Sequence, residues 1–402
     1  MKSPQEQLEV LLRGVDQVVP AEELAARLRE ERPLRVKLGL DPTAPAVTLG
    51  WAVVLRKLRQ FQEFGHKAVL IVGDFTAQVG DPSDRDSQRK RLAPEEVARY
   101  AGAVLDGFKK VLIWDESVLE VRHNSEWLAK LDMGDVLELT SKVTVAQVLE
   151  RGDFQKRFSG NQPISLMEFM YPLLQGMDSV AIDSDIELGG SDQLWNNMMG
   201  RVLQERYDKR GQMVMTMPLL IGTDGENKMS QSLGNYIAVD DEPADMFGKV
   251  MSIPDNLMPQ YFELATDLAP ADLQTTVAGL GDGSLHPGET KRRLGREIVG
   301  LYWGGEAAGE AETAFDQVFR RGEAPDDVAE FVMPNEDPVF LPALLRDAGL
   351  VKSSSEARRL ITAGAVKLDG ETITDETLSR ETLDGVTVQV GKRRFVKLTA
   401  GA

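Results

Sequence analysis

The sequence predicts an α/β protein built on a parallel sheet, followed by a mostly helical segment and a small, relatively basic tail. Residues 34–40 alternate polar and apolar side chains, and residues 67–73 form a continuous apolar run typical of a strand buried on both faces. Between them, residues 51–64 carry apolar side chains at helical spacing, and Gly65 follows where a helix commonly ends. This strand, helix and strand form a βαβ unit, which predicts parallel strands joined by a right-handed crossover.

The remaining elements are predicted to be mainly helical up to the tail. Helical patterns dominate from about residue 93 to residue 200, with N-caps expected at Ser125 and Ser165. A short strand is predicted over residues 217–222, residues 242–321 are again mostly helical, and prolines with many acids over 322–338 are typical of a linker. The tail pattern predicts a helix stopped by Gly364, a short strand, a turn at Asp369-Gly370 and a basic final strand.

Composition and charge exclude several classes of function. The 402 residues, 42% of them hydrophobic, predict two or three domains with a sizeable core. The net charge of −18 argues against a protein whose whole surface binds nucleic acid or an anionic membrane. That charge is uneven, because residues 340–402 carry ten basic and eight acidic side chains, which leaves −20 on the rest. A local basic patch therefore remains compatible with the composition.

Metal centres and nucleophilic hydrolysis are also disfavoured. The chain has no cysteine, which removes disulfides, thiolate metal sites and cysteine nucleophiles. Its three histidines are scattered, so a histidine-ligated metal centre is not expected. The N-terminus lacks the pattern of a signal peptide, and no apolar stretch approaches eighteen residues, which predicts a soluble cytoplasmic protein without a membrane partner.

Two segments have the character of phosphate sites. After the first strand come Asp41, a proline-containing turn and a helix beginning near Gly50, and a helix N-terminus suits a phosphate. An ordinary strand-turn-helix is the alternative interpretation. Residues 72–91 place acids, hydroxyls and the basic residues Arg85 and Arg89 at the carboxyl end of a buried strand, where ligands bind in open α/β sheets. A solvated charged loop would have a similar composition.

Two further segments suggest a small-molecule site. The spacing of Tyr171, Gln175 and Asp178 places a phenol, an amide and a carboxylate on one helical face, and GGSDQ follows at residues 189–193. Such a face can bind a polar small molecule, although a buried polar network of purely structural role would look the same. Residues 228–232 read KMSQS in a loop rich in glycine and polar residues, which is a weak signal by itself.

In this order, the four segments resemble the class I aminoacyl-tRNA synthetases, and specifically the bacterial tyrosyl-tRNA synthetase family. The resemblance extends over nearly the whole chain, and the tail is similar to a small RNA-binding domain named after a ribosomal protein. The segments that carry it are LGLDPTAP, VGDFTAQVGDPS, HNSEWL, LTSKVTVAQVLER, PISLMEFMYPLLQGMDS, GGSDQ and KMSQS.

The resemblance implies a fold and a reaction. The fold is a Rossmann-like parallel-sheet catalytic domain with a helical insertion over residues 1–223, then the signature loop and an α-helical domain over 224–325. A linker over 326–339 and a small α+β RNA-binding domain over 340–402 complete it, and the chain is expected to form a homodimer. The implied reaction activates L-tyrosine with ATP, accompanied by Mg²⁺ and without a protein-bound metal, to tyrosyl-adenylate, and then transfers the tyrosyl group to tRNA(Tyr).

The resemblance also implies roles for individual residues. Asp178 is expected to face the substrate phenol, and a buried carboxylate left unpaired by phenylalanine discriminates strongly. Lys37 stands where some members have a tyrosine that reaches the phenol and another branch has lysine, so it is given no contact.

The tyrosine-binding positions that the resemblance implies are Asp41, Thr76, Asp81, Asn124, Tyr171, Gln175, Asp178 and Gln193. The catalytic positions are Thr43, Thr48, Gly50, Trp51, Arg85, Arg89, Lys228, Ser230, Gln231 and Ser232. The ATP-binding positions are Gly39, Gly50, Gly190, Asp192 and Gln231. The RNA-binding positions are Lys352, Arg358, Arg359, Lys367, Arg393 and Arg394, with Lys392 and Lys397 as further candidates.

Four departures from the family pattern fall on the nucleotide side. Thr48 and Trp51 replace two histidines, Gln231 replaces a lysine, and Asp84 replaces a glycine. Losing a charged hydrogen bond made in the transition state typically lowers the rate about a hundredfold. Two alternatives therefore stand beside the synthetase: a paralogue that binds tyrosine or tRNA as a regulator, and an enzyme that delivers tyrosine to an acceptor other than tRNA.

Overall fold

The described residues form two compact units. A computed structural model of the chain describes residues 2–81, 93–317, 328–391 and 394–400. The first unit is Met1–Asp241 with Lys249–Tyr302, and the second is Glu242–Gly248 with Trp303–Ala402. The strands are β1 (Gln17–Val19), β2 (Arg35–Leu40), β3 (Lys67–Val72), β4 (Leu119–His123), β5 (Ile186–Gly190), β6 (Met213–Met217), β7 (Glu330–Val332), β8 (Val339–Phe340), β9 (Val366–Leu368), β10 (Glu371–Thr372), β11 (Thr377–Leu378), β12 (Thr387–Val390) and β13 (Arg394–Thr399). The α-helices are α1 (Pro4–Leu11), α2 (Glu23–Leu28), α3 (Leu49–Glu63), α4 (Thr76–Val79), α5 (Pro94–Lys109), α6 (Ser125–Leu128), α7 (Met133–Ser141), α8 (Val145–Val148), α9 (Gly152–Ser159), α10 (Leu166–Ala181), α11 (Leu194–Arg206), α12 (Pro243–Ser252), α13 (Met258–Ala265), α14 (Pro270–Asp282), α15 (Pro287–Trp303), α16 (Gly305–Asp316), α17 (Leu341–Asp347), α18 (Ser354–Thr362) and α19 (Arg380–Leu383).

A six-stranded sheet forms the centre of the first unit. Its order is β1-β6-β5-β2-β3-β4. All pairs are parallel except β1 with β6, which confirms the predicted parallel sheet. Strands β2 and β5 are neighbours in space but far apart in sequence, so the order reverses between them. Ligands bind at the carboxyl ends of the strands at such a switch point, because the loops there diverge and leave a crevice.

Helix α3 connects β2 to β3, as predicted. It begins at Leu49 because the Thr48 side chain accepts a hydrogen bond from the Trp51 N–H at 3.3 Å and caps the first turn. The buried residues of its apolar stripe include Leu55, Leu58 and Phe61. Gly65 has a φ of +83° directly after the helix, a conformation that a residue with a Cβ adopts at a cost.

A buried carboxylate connects the entry to β2 with the entry to β5. Asp185 accepts hydrogen bonds from the Arg32 guanidinium at 2.6 and 2.8 Å and from the Arg35 N–H at 2.9 Å. The buried Arg27 guanidinium lies 3.5 Å away. Burial raises the pKa of Asp185, but the hydrogen bonds from Arg32 and Arg35 outweigh it and hold that pKa below its usual range.

Three local predictions differ from the structure. The strand expected over residues 217–222 lies earlier, at β6, because Pro218 has no N–H with which to continue the ladder. Ser165 caps α10 as predicted, whereas Asn124 occupies the N-cap position expected for Ser125. Within the predicted linker, β7 pairs in parallel with β13, so part of that segment belongs to the sheet of the second unit.

The tail forms a small α+β fold in the second unit. Its sheet has the order β10-β9-β12-β13-β7, and β8 pairs with β11. Helices α17 and α18 contribute Leu345, Ala357 and Ile361 to the same buried cluster as Val388 and Val390 of β12. The turn predicted at Asp369-Gly370 joins β9 to β10, with both residues at positive φ.

No helix among the described residues is long and apolar enough to cross a membrane.

Removal of the Asp185 carboxylate is expected to destabilise the first unit strongly. In Asp185→Ala, the Arg32 guanidinium and the Arg35 N–H lose this acceptor and the buried Arg27 loses one of its two neighbouring carboxylates, which typically lowers the free energy of unfolding by about 3 kcal/mol. Glu63→Ala breaks the exposed pair with Arg59 and serves as the control, with an expected loss of about 0.5 kcal/mol. Urea unfolding measures both, and equal midpoints for the two variants would contradict this account.

Candidate active site

A cavity of about 740 Å³ opens at the carboxyl ends of β2 and β5. It lies at the switch point of the sheet, where the fold predicts a ligand. The cavity brings together most of the residues that the sequence predicted for the tyrosine and nucleotide sites. These are Gly39, Asp41, Thr43, Thr48, Gly50, Trp51, Thr76, Asp81, Tyr171, Gln175, Asp178, Gly190, Asp192, Gln193, Lys228, Ser230, Gln231 and Ser232.

The other predicted site residues lie elsewhere. Asn124 is fully buried and donates hydrogen bonds to Thr76 Oγ1 at 2.9 Å and to Asp178 Oδ2 at 3.4 Å. Arg85 and Arg89, together with the departure at Asp84, lie outside the described residues.

Asp178 is the buried carboxylate of the cavity. Besides Asn124, the Trp127 indole N–H donates a hydrogen bond to Asp178 Oδ1 at 2.9 Å. Burial raises the pKa of Asp178 to about 7, although the charge of Lys37 and the two hydrogen bonds act in the opposite direction. Each carboxylate oxygen has two lone pairs, so Asp178 keeps capacity to accept a hydrogen bond from a ligand.

A second carboxylate, Asp41, is held at the end of β2. It accepts hydrogen bonds from the Tyr171 hydroxyl at 2.9 Å and from the Thr76 hydroxyl at 2.7 Å. Burial and the charge of Asp41 raise the pKa of Tyr171 well above its usual range, so the phenol keeps its proton. Gly73 allows this contact, because a Cβ there would lie 2.1 Å from Asp41 Oδ1.

The two signature segments lie against each other. A Cβ on Gly50 would lie 3.6 Å from Met229 Cβ, and the N–H of Leu49 donates to the Ile237 carbonyl at 2.8 Å. Lys228 Nζ lies 2.7 Å from Asp192 Oδ2, on the loop that follows β5. The N-terminus of α3 and the Lys228 ammonium therefore face one cavity, and both suit an anionic ligand.

The three departures that lie within the described residues have structural roles. The Thr48 hydroxyl caps α3, and the Trp51 ring packs against Phe108 with 6.1 Å between the ring centroids. The Gln231 amide pairs with the peptide group of Ala46, accepting from its N–H at 3.1 Å and donating to its carbonyl at 2.7 Å. A lysine could not form this pair, since an ammonium group accepts no hydrogen bond.

Sequence reasoning missed Trp127, Glu187 and Asn197. Trp127 belongs to the quoted segment HNSEWL, and Glu187 is a charge inside the otherwise apolar strand β5. Burying a charge in a strand costs free energy unless the charge is paired. The sequence therefore indicated that Glu187 has a buried partner. Asn197 on α11 has no comparable signal in the sequence, because amides are common on helices.

The predicted RNA-binding side chains lie on the tail. Arg358 pairs with Glu376 at 3.0 Å, Arg394 lies 3.6 Å from Glu356, and Lys397 lies 3.3 Å from Glu330. Lys352 and Arg359 are exposed at α18, and Lys367 is half-buried on β9. Lys392 and Arg393 lie outside the described residues.

Fold and site together define an α/β protein with a cavity at the switch point of its sheet, lined by carboxylates, a helix N-terminus and a lysine. The family model for the class I tRNA synthetases (W and Y) matches residues 29–320, and the S4 domain model matches residues 341–376. The chain therefore belongs to the class I tRNA synthetases of the W and Y family.

Curated relatives match over almost the whole chain. The tyrosine–tRNA ligase of Moorella thermoacetica is 50% identical over 98% of this chain and 95% of its own length. That of Salinibacter ruber is 47% identical over 98% of this chain and 96% of its own. The tyrosyl-tRNA synthetase of Archaeoglobus fulgidus, solved with L-tyrosine, superposes with a TM-score of 0.63 at 23% identity, covering 77% of this chain and 99% of its own. At this level of identity, the similarity to the Archaeoglobus fulgidus structure supports the fold alone.

The contact between Gln231 and Ala46 predicts slow hydrogen exchange at the Ala46 amide. Gln231→Lys and Gln231→Ala both remove the acceptor, so exchange at Ala46 should accelerate about fivefold. Gln231→Glu keeps an acceptor oxygen for the Ala46 N–H but sets its second oxygen against the Ala46 carbonyl, so its exchange should be intermediate between the unmodified chain and the other two variants. Hydrogen-exchange mass spectrometry on a peptide containing Ala46 measures this, and identical rates in all four proteins would rule the contact out.

Proposed function

We propose that this chain is a tyrosine–tRNA ligase, which activates L-tyrosine with ATP and transfers the tyrosyl group to tRNA(Tyr). The observation that carries the proposal is Asp178, a buried carboxylate at the cavity with acceptor capacity for a phenol. Phenylalanine would leave the remaining acceptor site of this carboxylate unfilled, and a buried polar group that lacks its ligand partner discriminates strongly between the two substrates. Ligases named for tyrosine match the chain over nearly its full length, which supports the same substrate.

The cavity supplies groups for each part of the amino acid. Asp178 accepts from the phenol, and Gln175 Oε1, which has no partner among the described residues, accepts from the α-ammonium. The substrate carboxylate then faces the N-terminus of α3 and Lys228, where the nucleotide phosphates bind. A carboxylate oxygen of tyrosine attacks the α-phosphorus of ATP, the bond to the bridging oxygen breaks, and pyrophosphate leaves.

The protein contributes position and charge to this step. Phosphoryl and nucleotidyl transfers demand little covalent work from the enzyme, so the rate depends on alignment and on stabilisation of the spreading negative charge. Mg²⁺ enters with ATP as part of the substrate. The described residues contain no cluster of acids or histidines that could hold a resident metal ion.

Tyrosine-dependent exchange of pyrophosphate into ATP tests the proposal. Exchange by the full chain, followed by charging of tRNA(Tyr), is the expected result, and Asp178→Ala should lower the apparent affinity for tyrosine in the same assay. Absence of exchange with calorimetric tyrosine binding intact would replace the ligase by a regulator. Exchange without tRNA charging would indicate another acceptor.

The tail is proposed to bind the tRNA. The S4 match covers α17 and α18, and the predicted basic residues Arg358, Arg359, Lys367 and Arg394 lie on α18, β9 and β13. A local basic surface is enough to contact a few phosphates even though the whole chain is acidic.

We also propose that two chains associate and that they act in the cytoplasm, where ATP and tRNA are found. Large apolar side chains stand exposed between residues 133 and 167, including Met133 at 73%, Phe158 at 63% and Leu166 at 81%. Exposed apolar residues concentrated in one segment are typical of a protein interface. Sedimentation velocity tests this, since a species with the mass of one chain at micromolar concentration would contradict the dimer.

Neutralising one basic residue of the tail should weaken tRNA binding and leave the activation of tyrosine unchanged. Arg359 is exposed and forms no ion pair with another described residue, so Arg359→Gln should raise the KM for tRNA and lower the salt dependence of binding by about one counterion. Tyrosine-dependent exchange should stay unchanged. Arg346→Gln, at a residue paired with Asp347, is the control, and equal effects of both variants would argue against a specific phosphate contact.

Discrimination between tyrosine and phenylalanine should increase with pH. Because the pKa of Asp178 is about 7 in the free chain, its carboxylate forms as the pH rises through 7. The carboxylate accepts a charge-assisted bond from the phenol, so tyrosine should bind about tenfold more tightly above this pH than below it. Phenylalanine should bind more weakly above it, because a carboxylate is costlier to leave unpaired than a neutral acid.

Calorimetric titration with both amino acids on either side of this pKa measures the ratio of affinities. In Asp178→Asn, which cannot ionise, the ratio should not depend on pH. A ratio that stays constant in the unmodified chain would contradict the role assigned to Asp178.

A further inference from the structure

Two amides of the cavity, Gln175 and Asn197, lie side by side and could each be turned either way. Gln175 Nε2 donates to Asn197 Oδ1 at 2.9 Å, while Gln175 Oε1 and Asn197 Nδ2 are buried and have no partner among the described residues. Turning both amides over would preserve the bond between them. The turned arrangement would present an N–H donor of Gln175 to the cavity in place of an acceptor.

Glu187 favours one of these two arrangements. Gln175 Nε2 also donates to Glu187 Oε1 at 3.2 Å, and a carboxylate offers no hydrogen to an amide oxygen. The turned arrangement would bring the Gln175 oxygen against the Glu187 oxygen, without a proton between them. The nitrogen of Gln175 is therefore committed to Glu187 and Asn197, and the oxygen is the atom of this cavity-lining amide that has no partner among the described residues.

Glu187 is itself held by four donors. Its Oε1 lies 2.9 Å from Lys37 Nζ and accepts from Gln175, and its Oε2 accepts from the Ser179 hydroxyl at 3.1 Å and from Gln212 Nε2. Lys37 also donates to the Gln175 carbonyl at 3.0 Å and to Ser179 Oγ at 2.8 Å. Because its acceptor sites are filled by the protein, Glu187 is not available to bind the substrate ammonium directly.

The ion pair is built into the sheet. Lys37 on β2 lies directly opposite Glu187 on β5 in the parallel register. Both side chains are essentially inaccessible to solvent, at 0% and 1% exposure. A buried ion pair gives little net stability compared with apolar residues of similar size, so its presence calls for another role.

We propose that the Lys37–Glu187 pair consists of positioning residues that fix the Gln175 amide with its oxygen toward the cavity and so make the site select an α-ammonium group. This inference rests on the proposed function, because it concerns recognition of the amino group of the same substrate. An acceptor oxygen binds an ammonium, whereas an amide N–H would repel it. The pair acts through Gln175 and does not touch the substrate.

Binding of two ligands that differ only in the amino group tests the proposal. In full-length Lys37→Met/Glu187→Met the amides can turn, so L-tyrosine should bind about tenfold more weakly. The analogue 3-(4-hydroxyphenyl)propionate, which lacks the ammonium, should change by less than about threefold. Calorimetry measures both dissociation constants. Equal losses for the two ligands, or no loss for tyrosine, would overturn the proposal.

Two more conservative variants test the same proposal in case Lys37→Met/Glu187→Met does not fold. In Glu187→Gln the amide oxygen should face Lys37 and Gln175, while its nitrogen donates to Ser179 Oγ. Gln212, whose Nε2 faces this position, should turn over to present Oε1, which has no partner among the described residues, and give up its bond to the Asn197 carbonyl. Tyrosine binding should then stay within about threefold of the unmodified chain. Lys37→Met/Glu187→Gln removes the ammonium that orients this amide. The loss of affinity for tyrosine in this variant should therefore again be larger than the loss of affinity for the analogue without the ammonium. Equal tyrosine affinity in these two variants would count against the proposal.

Asp185→Asn is the matched control for lost stability. Asp185 directly precedes β5 and is also paired with cations, the buried Arg27 and the more exposed Arg32, but it lies at the opposite end of that strand from the cavity. It should lower stability without changing the ratio of the two affinities, and a changed ratio would overturn the proposal. Pyrophosphate exchange by the unmodified chain tests the proposed ligase function separately. A failure of that function can therefore be distinguished from a failure of the positioning role of Lys37 and Glu187.

Discussion

The parallel pairing of β2 with β5 is the constraint on which the rest of the site depends. It joins strands from distant parts of the sequence, with Val36 opposite Ile186 and Lys37 opposite Glu187. The pairing creates the switch point and brings Asp41, which follows β2, to the same edge of the sheet as the loop after β5. A shift of one residue in this register would turn each side chain of β5 to the other face of the sheet, so the ion pair and the cavity would be lost together.

The buried polar groups at the cavity form one connected network of hydrogen bonds. Asp178 is held by Trp127 and Asn124, and Asn124 also contacts Thr76, which in turn holds Asp41. Such a network has few alternative arrangements, because each donor already has a specific acceptor. Rigid placement of buried polar groups is what allows a site to reject a ligand that lacks a matching group.

The nucleotide side shows how departures from a family pattern can be accommodated. Thr48 and Gln231 form hydrogen bonds that order the two signature segments, and Trp51 packs against Phe108. The positive end of α3 and the Lys228 ammonium remain at the cavity. Order in these segments reduces the entropy lost when a ligand binds, which is one way to offset a missing charge.

The sequence alone determined the parallel sheet, the helix between β2 and β3 and the small tail, because these depend on local periodicity, caps and ordered motifs. The positions that it predicted for tyrosine line one cavity, except Asn124, which is buried behind it. It could not determine which strands are neighbours, so the pairing of Lys37 with Glu187 was invisible even though both residues could be read. It also could not show that Gln231 meets the Ala46 peptide, or that Glu187 decides which atom of Gln175 faces the cavity. Those contacts join distant segments, and their energies depend on burial and on the position of each donor and acceptor, which only the tertiary structure sets.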